Sequence, residues 1–415
     1  MKQYSSYIDS GIQWLNEIPA HWKILPGRAL FTENKEKNDG GEHQVLSLSY
    51  GSIITKKNVN EGLIPENYSS YQYILPGYII VRCTDLQNDK VSLRTSISEY
   101  EGIITGAYLG LIPKPICRSK FIHYLLRAWD CSKELYRYGS GLRQSLSWND
   151  FKYLLLPIPT PEEQEAIVAY LDAATAKIDE AIAQQQRMID LLEERKRIIV
   201  FNAVTKGVST DANMKNSGIS WIGEMPIHWN LYKGKVVFRI QCGYPFDSRL
   251  FSLEKGSPLI RIRDITSGNI ETYYNGLFDN KYLVTRGDLL VGMDGDFSVR
   301  WWDSVDALLN QRCCRLFPSN KVLKRFLFYY LPIGLRIINE LTPATTVKHL
   351  SDKDIKSMPI CVPPIEEQQR IVTFLDKQIG RIDSTISNAH NLIDCLRERK
   401  QIVINNVVTG KVRVY

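Results

Sequence analysis

The sequence predicts an α/β (α+β) protein: two strand-rich globular domains separated by two long antiparallel coiled-coil helices, the whole forming an internal pseudo-two-fold repeat. Three observations carry that prediction. A tryptophan-rich motif recurs half a chain later, a long amphipathic segment recurs at nearly the same offset, and the stretches between them are β-rich. At a prior of ~150 residues per domain, 415 residues suggest two or three domains.

SGIQWLNEIPAHWKILPGRALF begins at Ser10, and SGISWIGEMPIHWNLYKGKVVF begins 207 residues later at Ser217. Gly11/Gly218, Trp14/Trp221, Glu17/Glu224, Pro19/Pro226, His21/His228, Trp22/Trp229, Gly27/Gly234 and Phe31/Phe238 coincide. The second pair is PEEQEAIVAYLDAATAKIDE from Pro161 and IEEQQRIVTFLDKQIGRIDS from Ile365, 204 residues apart. That pair continues through LLEERKRIIVFNAVTKG and CLRERKQIVINNVVTGK. A period this long exceeds any solenoid unit, so a whole domain-plus-helix unit is duplicated. The expected boundaries are 1–159 and 209–362 for the domains, and 160–208 and 363–415 for the helices.

Each helical segment opens on a proline just ahead of Glu-Glu-Gln, which places acids at the positive end of the helix dipole. The second keeps a heptad stripe, Leu375, Ile379, Ile382, Ile386, Ala389, Ile393, Leu396, Lys400 and Val403. The first matches it with Leu171, Thr175, Ile178, Ile182, Gln185, Ile189, Leu192, Lys196 and Ile199. Alternating spacings of four and three demand a helical partner. Each helix is the natural partner of the other, because a whole domain lies between them and permits antiparallel pairing. About 40 residues at ~1.5 Å each make a rod of roughly 60 Å. The polar stripe positions Thr175, Gln185, Lys196 and Lys400 would set register. An ordinary structural hairpin or a homodimer seam remains an alternative use of the stripe.

The globular segments 23–155 and 230–360 share flanks but differ inside, which suggests one scaffold carrying two surfaces. Short β-branched runs such as YIIV and DLLV, each following a Pro-Gly or Arg-Gly turn, predict strands at equivalent places. Basic residues outnumber acidic ones in both segments, by about 17 to 13 and 19 to 13, while the first helix is net acidic. The net charge of +7 therefore gathers in the domains, where phosphates would be neutralised.

Several classes are disfavoured. No run of about 18 apolar residues exists to span a membrane, and the opening MKQYSSYIDSGIQWLNEIP lacks the apolar core of a signal peptide, so a cytoplasmic protein is expected. The eight cysteines include no CxxC pair, and Cys313 and Cys314 are adjacent, suiting neither zinc nor a disulfide framework. No phosphate-binding GxxxxGK[ST] or zinc HExxH motif occurs. Val362-Pro363-Pro364-Ile365 lacks the polar and aromatic ends of a methyltransferase motif, and Gly292-Met293-Asp294-Gly295-Asp296 reads as a tight turn rather than a calcium loop. No catalytic residue and no metal site are expected.

Candidate DNA contacts are then the cations of the domains. Arg261 and Arg263 alternate on a predicted strand and would share one face, where arginine forks onto guanine O6 and N7; pairing with Asp264 is the plainer reading. Arg143 and Gln144 lie in the loop GSGLRQSLSWNDF, and Lys348 occupies the position of Gln144 in the second repeat. Lys56, Lys57 and Arg94 complete the set. Trp14, His21, Trp22, Trp221, His228 and Trp229 recur in both repeats, so they are expected to serve architecture or partner docking rather than sequence choice.

These motifs together resemble the specificity (S) subunits of bacterial type I restriction–modification systems, over nearly the whole chain. RIRDI with GDLLVGMDGDF is similar to one class of target-recognition domain in that family. The resemblance implies a non-catalytic DNA-binding subunit whose two target-recognition domains each read half of a bipartite site. It further implies a coiled coil that spaces the halves and docks the methylation (M) subunits. S-adenosylmethionine, ATP and Mg2+ would be used by the M and restriction (R) subunits, with no cofactor bound by this chain. Two other readings stay open at this stage: a coiled-coil scaffold without sequence preference, and a DNA enzyme with unrecognised motifs.

Overall fold

A computed structural model describes residues 2–12, 14–56, 68–84, 86, 93–134, 145–209, 211–341 and 348–414. The chain mixes helix and strand and divides into two compact units, Met1–Gln186 with His390–Tyr415, and Arg187–Ala389.

The first unit is organised around an antiparallel four-stranded sheet in the order Phe31–Glu33, Leu109–Pro113, Ile79–Val81, Thr95–Ile97. Ile79, Ile80 and Val81 are buried on both faces, as a central strand of β-branched residues should be. The helix Ser119–Cys131 covers the sheet with Phe121, Ile122, Leu125, Leu126 and Trp129, which recur at helical spacing on one face. Outside this frame lie the hairpin Leu46–Ser49/Ser52–Thr55 and the pair Gln72–Ile74/Gly102–Ile104, around a small core of Leu46, Ile53, Ile74 and Ile104.

The second unit repeats the frame. Its sheet runs Phe238–Cys242, Cys313–Pro318, Leu289–Gly292, Val299–Trp301, also antiparallel, beneath the helix Lys324–Leu341. The central strand enters each sheet through the same turn. Leu75 O accepts from Tyr78 N and Thr285 O from Asp288 N, both at 3.1 Å. Gly77 and Gly287 take φ of 89° and 90°, the left-handed value this turn requires at its third position. Gly27 and Gly234 are repeated for a different reason: a Cβ would collide with the carbonyl of Phe151 in one unit and of Ile355 in the other. What differs is the insertion. The second unit carries a five-stranded sheet, Phe251–Ser252, Tyr273–Tyr274, Ser257–Ile260, Ala307–Leu309, Leu283–Val284, with its own apolar clusters.

The long helices run Pro161–Lys206 and Ile365–Val408. Every position of the two heptad stripes is buried or half-buried. Within the first unit, the start of the first helix meets the end of the second. Trp22 bonds Glu163 and also adjoins Gly410, while Lys400 Nζ donates to Asp179 at 2.6 Å. Within the second unit, Glu367 adjoins Gly207, and Lys196 Nζ donates to Asp383 at 2.6 Å. In both units the pairing sense is therefore antiparallel, and the stripe lysines are held by repeated aspartates.

A latch fixes each helix start to its domain. Glu163 is buried and accepts from Tyr4 Oη at 2.6 Å, Trp22 Nε1 at 3.0 Å and His21 Nε2 at 2.9 Å. Glu367 meets His228 Nε2 at 2.8 Å, whereas among the described residues the buried Trp229 Nε1 has no hydrogen-bond partner. The neighbouring glutamines act identically. Gln164 accepts from Arg118 N and donates to Ile116 O and Pro159 O; Gln368 accepts from Leu323 N and donates to Lys321 O and Pro363 O. About two turns on, Asp172 accepts from Tyr124 and Lys120, and Asp376 from Tyr329 and Arg325.

Two outcomes follow. Glu163→Ala strands two buried donors and should cost about 2–4 kcal/mol, against about 1–2 for Glu367→Ala; equal losses in hydrogen exchange of the two helix starts would contradict the asymmetry. Burial, aided by Arg127, pushes the His123 imidazole from its ordinary 6.5 down to about 4, so the folded chain holds it neutral. The unfolded chain binds this proton first, so stability should fall as pH drops from 6.5 towards 4, by up to about 3 kcal/mol. His123→Leu should flatten that segment of a stability–pH profile, and an unchanged slope would dismiss His123 as the cause.

Candidate nucleic-acid interface

In the second unit three strands end together. Ser257–Ile260 and Ala307–Leu309 run parallel, and Asn310 N donates to Ile260 O, so Arg261 leaves the sheet beside Asn310 and Gln311. Leu289–Gly292 reaches the same place, because Met293 N donates to Arg312 O and Ile262 lies against Gly292. Leu350 N then bonds Met293 O and brings His349 alongside. Arg261, Gln311, Arg312 and His349 are exposed there. Asp294 braces the group: its Oδ2 meets Arg312 Nη1 at 3.0 Å and its Oδ1 meets His349 Nδ1 at 2.6 Å. Chemically this is a cluster of exposed donors at strand ends, suited to phosphate oxygens and base edges.

The strand expected to carry Arg261 and Arg263 ends at Ile260, which corrects the expectation of a shared face. Asp264 is the reason. Its buried Oδ2 accepts from Arg261 N at 2.8 Å and starts the short helix Ile262–Ser267. Burial pushes the Asp264 carboxyl above its ordinary range, and the Arg261 amide and the arginine charges act against that rise. Arg263 then pairs with Glu271 at 3.3 Å and Asp264 at 3.6 Å, and donates to Thr272 Oγ1. Among the described residues no hydrogen bond or ion pair holds the Arg261 guanidinium.

Two further expectations are corrected. Arg94 is fully buried, donating from Nη1 to Thr84 O at 2.8 Å while its amide donates to Asp130, so it faces the core of the first unit. Lys348 is half-buried and spends its ammonium on Asn339, at 2.6 Å to O and 3.0 Å to Oδ1, which caps the end of the helix Lys324–Leu341. Lys56 ends the Ser52–Thr55 strand, half-buried, with its amide bonded to Val45 O. Lys57, Arg143 and Gln144 lie outside the described residues.

The repeated aromatic residues lie at the bases of the domains. His21 and Trp22 converge on Glu163, and His228 on Glu367, as described above. Trp14 packs half-buried against the first core, and Trp221 against the second, 6.2 Å from the Tyr330 ring.

Sequence reasoning passed over Gln311, Arg312 and His349. One signal was available: the acids of the Asp294-Gly295-Asp296 turn needed a basic partner, yet Arg312 is 18 residues away and His349 is 55.

The chain is similar to known proteins in two ways. A family model described as the type I restriction modification DNA specificity domain matches residues 226–391. The type I restriction enzyme EcoBI specificity subunit of Escherichia coli is 40% identical over 193 residues, which spans 46% of this chain and 41% of that one. The putative type I restriction enzyme MjaX specificity subunit of Methanocaldococcus jannaschii is 25% identical over 428 residues, 96% of each chain. A solved structure described as the structural basis underlying complex assembly and conformational transition of the type I R-M system shares the fold. Its TM-score is 0.71 at 16% identity, over 95% of this chain and 99% of that one.

Arg94→Ala should lower thermal stability by about 2–4 kcal/mol through its lost buried hydrogen bonds, without altering the salt dependence of DNA binding. A normal melting temperature with weakened DNA binding would return Arg94 to the interface.

Proposed function

We propose that this chain, which is similar to type I restriction–modification specificity subunits, selects a bipartite DNA sequence on behalf of partner subunits and performs no chemistry itself. Each domain, 1–159 and 209–362, reads one half of the site; the helical segments 160–208 and 363–415 form an antiparallel coiled coil that holds the two readers at a set spacing. The observation that carries this reading is one chassis built twice, with the same sheet, turn and latch, bearing insertions that differ. A shared frame with different exposed surfaces is what two readers of different sequences require. The reciprocal pairs Lys196–Asp383 and Lys400–Asp179 support the spacer role, since each joins a repeated lysine of one helix to the repeated aspartate of the other. Half-sites read from one face of DNA lie about one turn, ~34 Å, apart, within the reach of helices 46 and 44 residues long at ~1.5 Å per residue.

M subunits would supply S-adenosylmethionine-dependent adenine methylation, and R subunits ATP- and Mg2+-dependent translocation and cleavage, with this chain binding no cofactor. Among the described residues no helix is long and apolar enough to cross a membrane; we place the complex in the cytoplasm, where its DNA is.

Long-read mapping of adenine methylation, with and without the gene, should show one bipartite motif that disappears with it. Replacing residues 23–155 by the equivalent domain of a relative should then change one half of that motif and leave the other. A change in both halves would refute modular reading, and turnover by the isolated chain on DNA with S-adenosylmethionine or Mg2+ would refute the non-catalytic role.

A further inference from the structure

We propose that Arg312 is a guanine-reading residue of the second domain and that Asp294 is its positioning residue, so the half-site read by residues 209–362 contains a guanine that this pair selects. The inference rests on the DNA-reading role given above and adds a residue, a base and a device to it.

Asp294 engages only the Nη1 corner of the guanidinium, at 3.0 Å. Among the described residues Nε and Nη2 have no partner, and the side chain is 56% exposed while Asp294 is 17% exposed. The edge left open is therefore a two-donor fork, the shape that matches O6 and N7 of guanine in the major groove. A lysine there would offer a point charge and no fork.

An exposed ion pair adds little to stability, typically well under 1 kcal/mol, so stability is a poor reason for this arrangement. Its stronger effect is orientation. A free arginine loses rotamer freedom when it docks, and holding one corner beforehand reduces that loss. The brace is itself held: the second oxygen of Asp294 meets His349 Nδ1 at 2.6 Å, and Gly295 N donates to Lys348 O at 3.0 Å. The backbone of Arg312 is fixed as well, with its carbonyl accepting from Met293 N at 2.9 Å. Arg261, exposed on the neighbouring strand end, lacks any such brace, which makes it the better candidate for a phosphate contact.

The test uses the assembled complex. Arg312→Gln, Arg312→Lys and Asp294→Asn would be compared with Arg249→Gln, a control whose guanidinium is exposed and paired with Asp247. Methylation would be mapped in cells and measured on oligonucleotides substituted one base at a time. Both Arg312 variants should lose preference for one guanine in one half-site by about ten- to a hundred-fold, with the other half and the spacing unchanged. Asp294→Asn should shift the same base by a smaller factor, and Arg249→Gln should shift none. An unchanged motif in the Arg312 variants, or a preference lost evenly at all positions while the complex still assembles, would overturn the proposal and leave the DNA-reading role standing. A wild-type complex without any bipartite motif would instead overturn that role.

Discussion

The start of each long helix is tied to its domain by a buried carboxylate, and the rest of the molecule depends on that tie. A charge at Glu163 could not be buried unpaired, because desolvation would cost several kcal/mol. Tyr4, Trp22 and His21 meet it from the N-terminal segment, and Gln164 beside it bonds the loop ahead of the helix Ser119–Cys131. A rod, a domain base and the N-terminal segment are thereby fixed to one another. In the second unit Gln368 does the same work with the same set of bonds, and Glu367 with fewer partners than Glu163.

This division of labour explains which residues the two halves share. Glu163/Glu367 and His21/His228 are repeated because they pair with one another, the glycine before the central strand because its φ is left-handed, and Gly27/Gly234 because a backbone carbonyl leaves no room for a Cβ. The strand-end loops meet solvent, so they could diverge without cost to the frame. A reading surface is cheap to change when the frame beneath it is stabilised elsewhere.

The same logic separates two kinds of arginine. Arg94 and Arg315 are drawn inward, the latter bonding Asp288, Gln241 and Leu283 O, and act as internal braces. Arg261 and Arg312 stand at strand ends with donors left over. Composition counts all four alike, so a basic residue says little about DNA until its hydrogen bonds are known.

The sequence by itself determined the repeat, the two long helices, their heptad stripes and the placement of YIIV and DLLV as equivalent strands, because all of these are periodic or local. The stripes at Leu171–Ile199 and Leu375–Val403 called for a helical partner, and the structure adds the antiparallel ion pairs Lys400–Asp179 and Lys196–Asp383, one within each unit. Only the tertiary structure decided which cations face outward. Arg261 sits at a helix start because Asp264 caps its amide, and Arg312 gathers with Asp294 and His349 because strands far apart in the chain end side by side. No short-range pattern encodes such an encounter; it exists once the sheet has closed and burial has settled which polar groups must find partners within the fold.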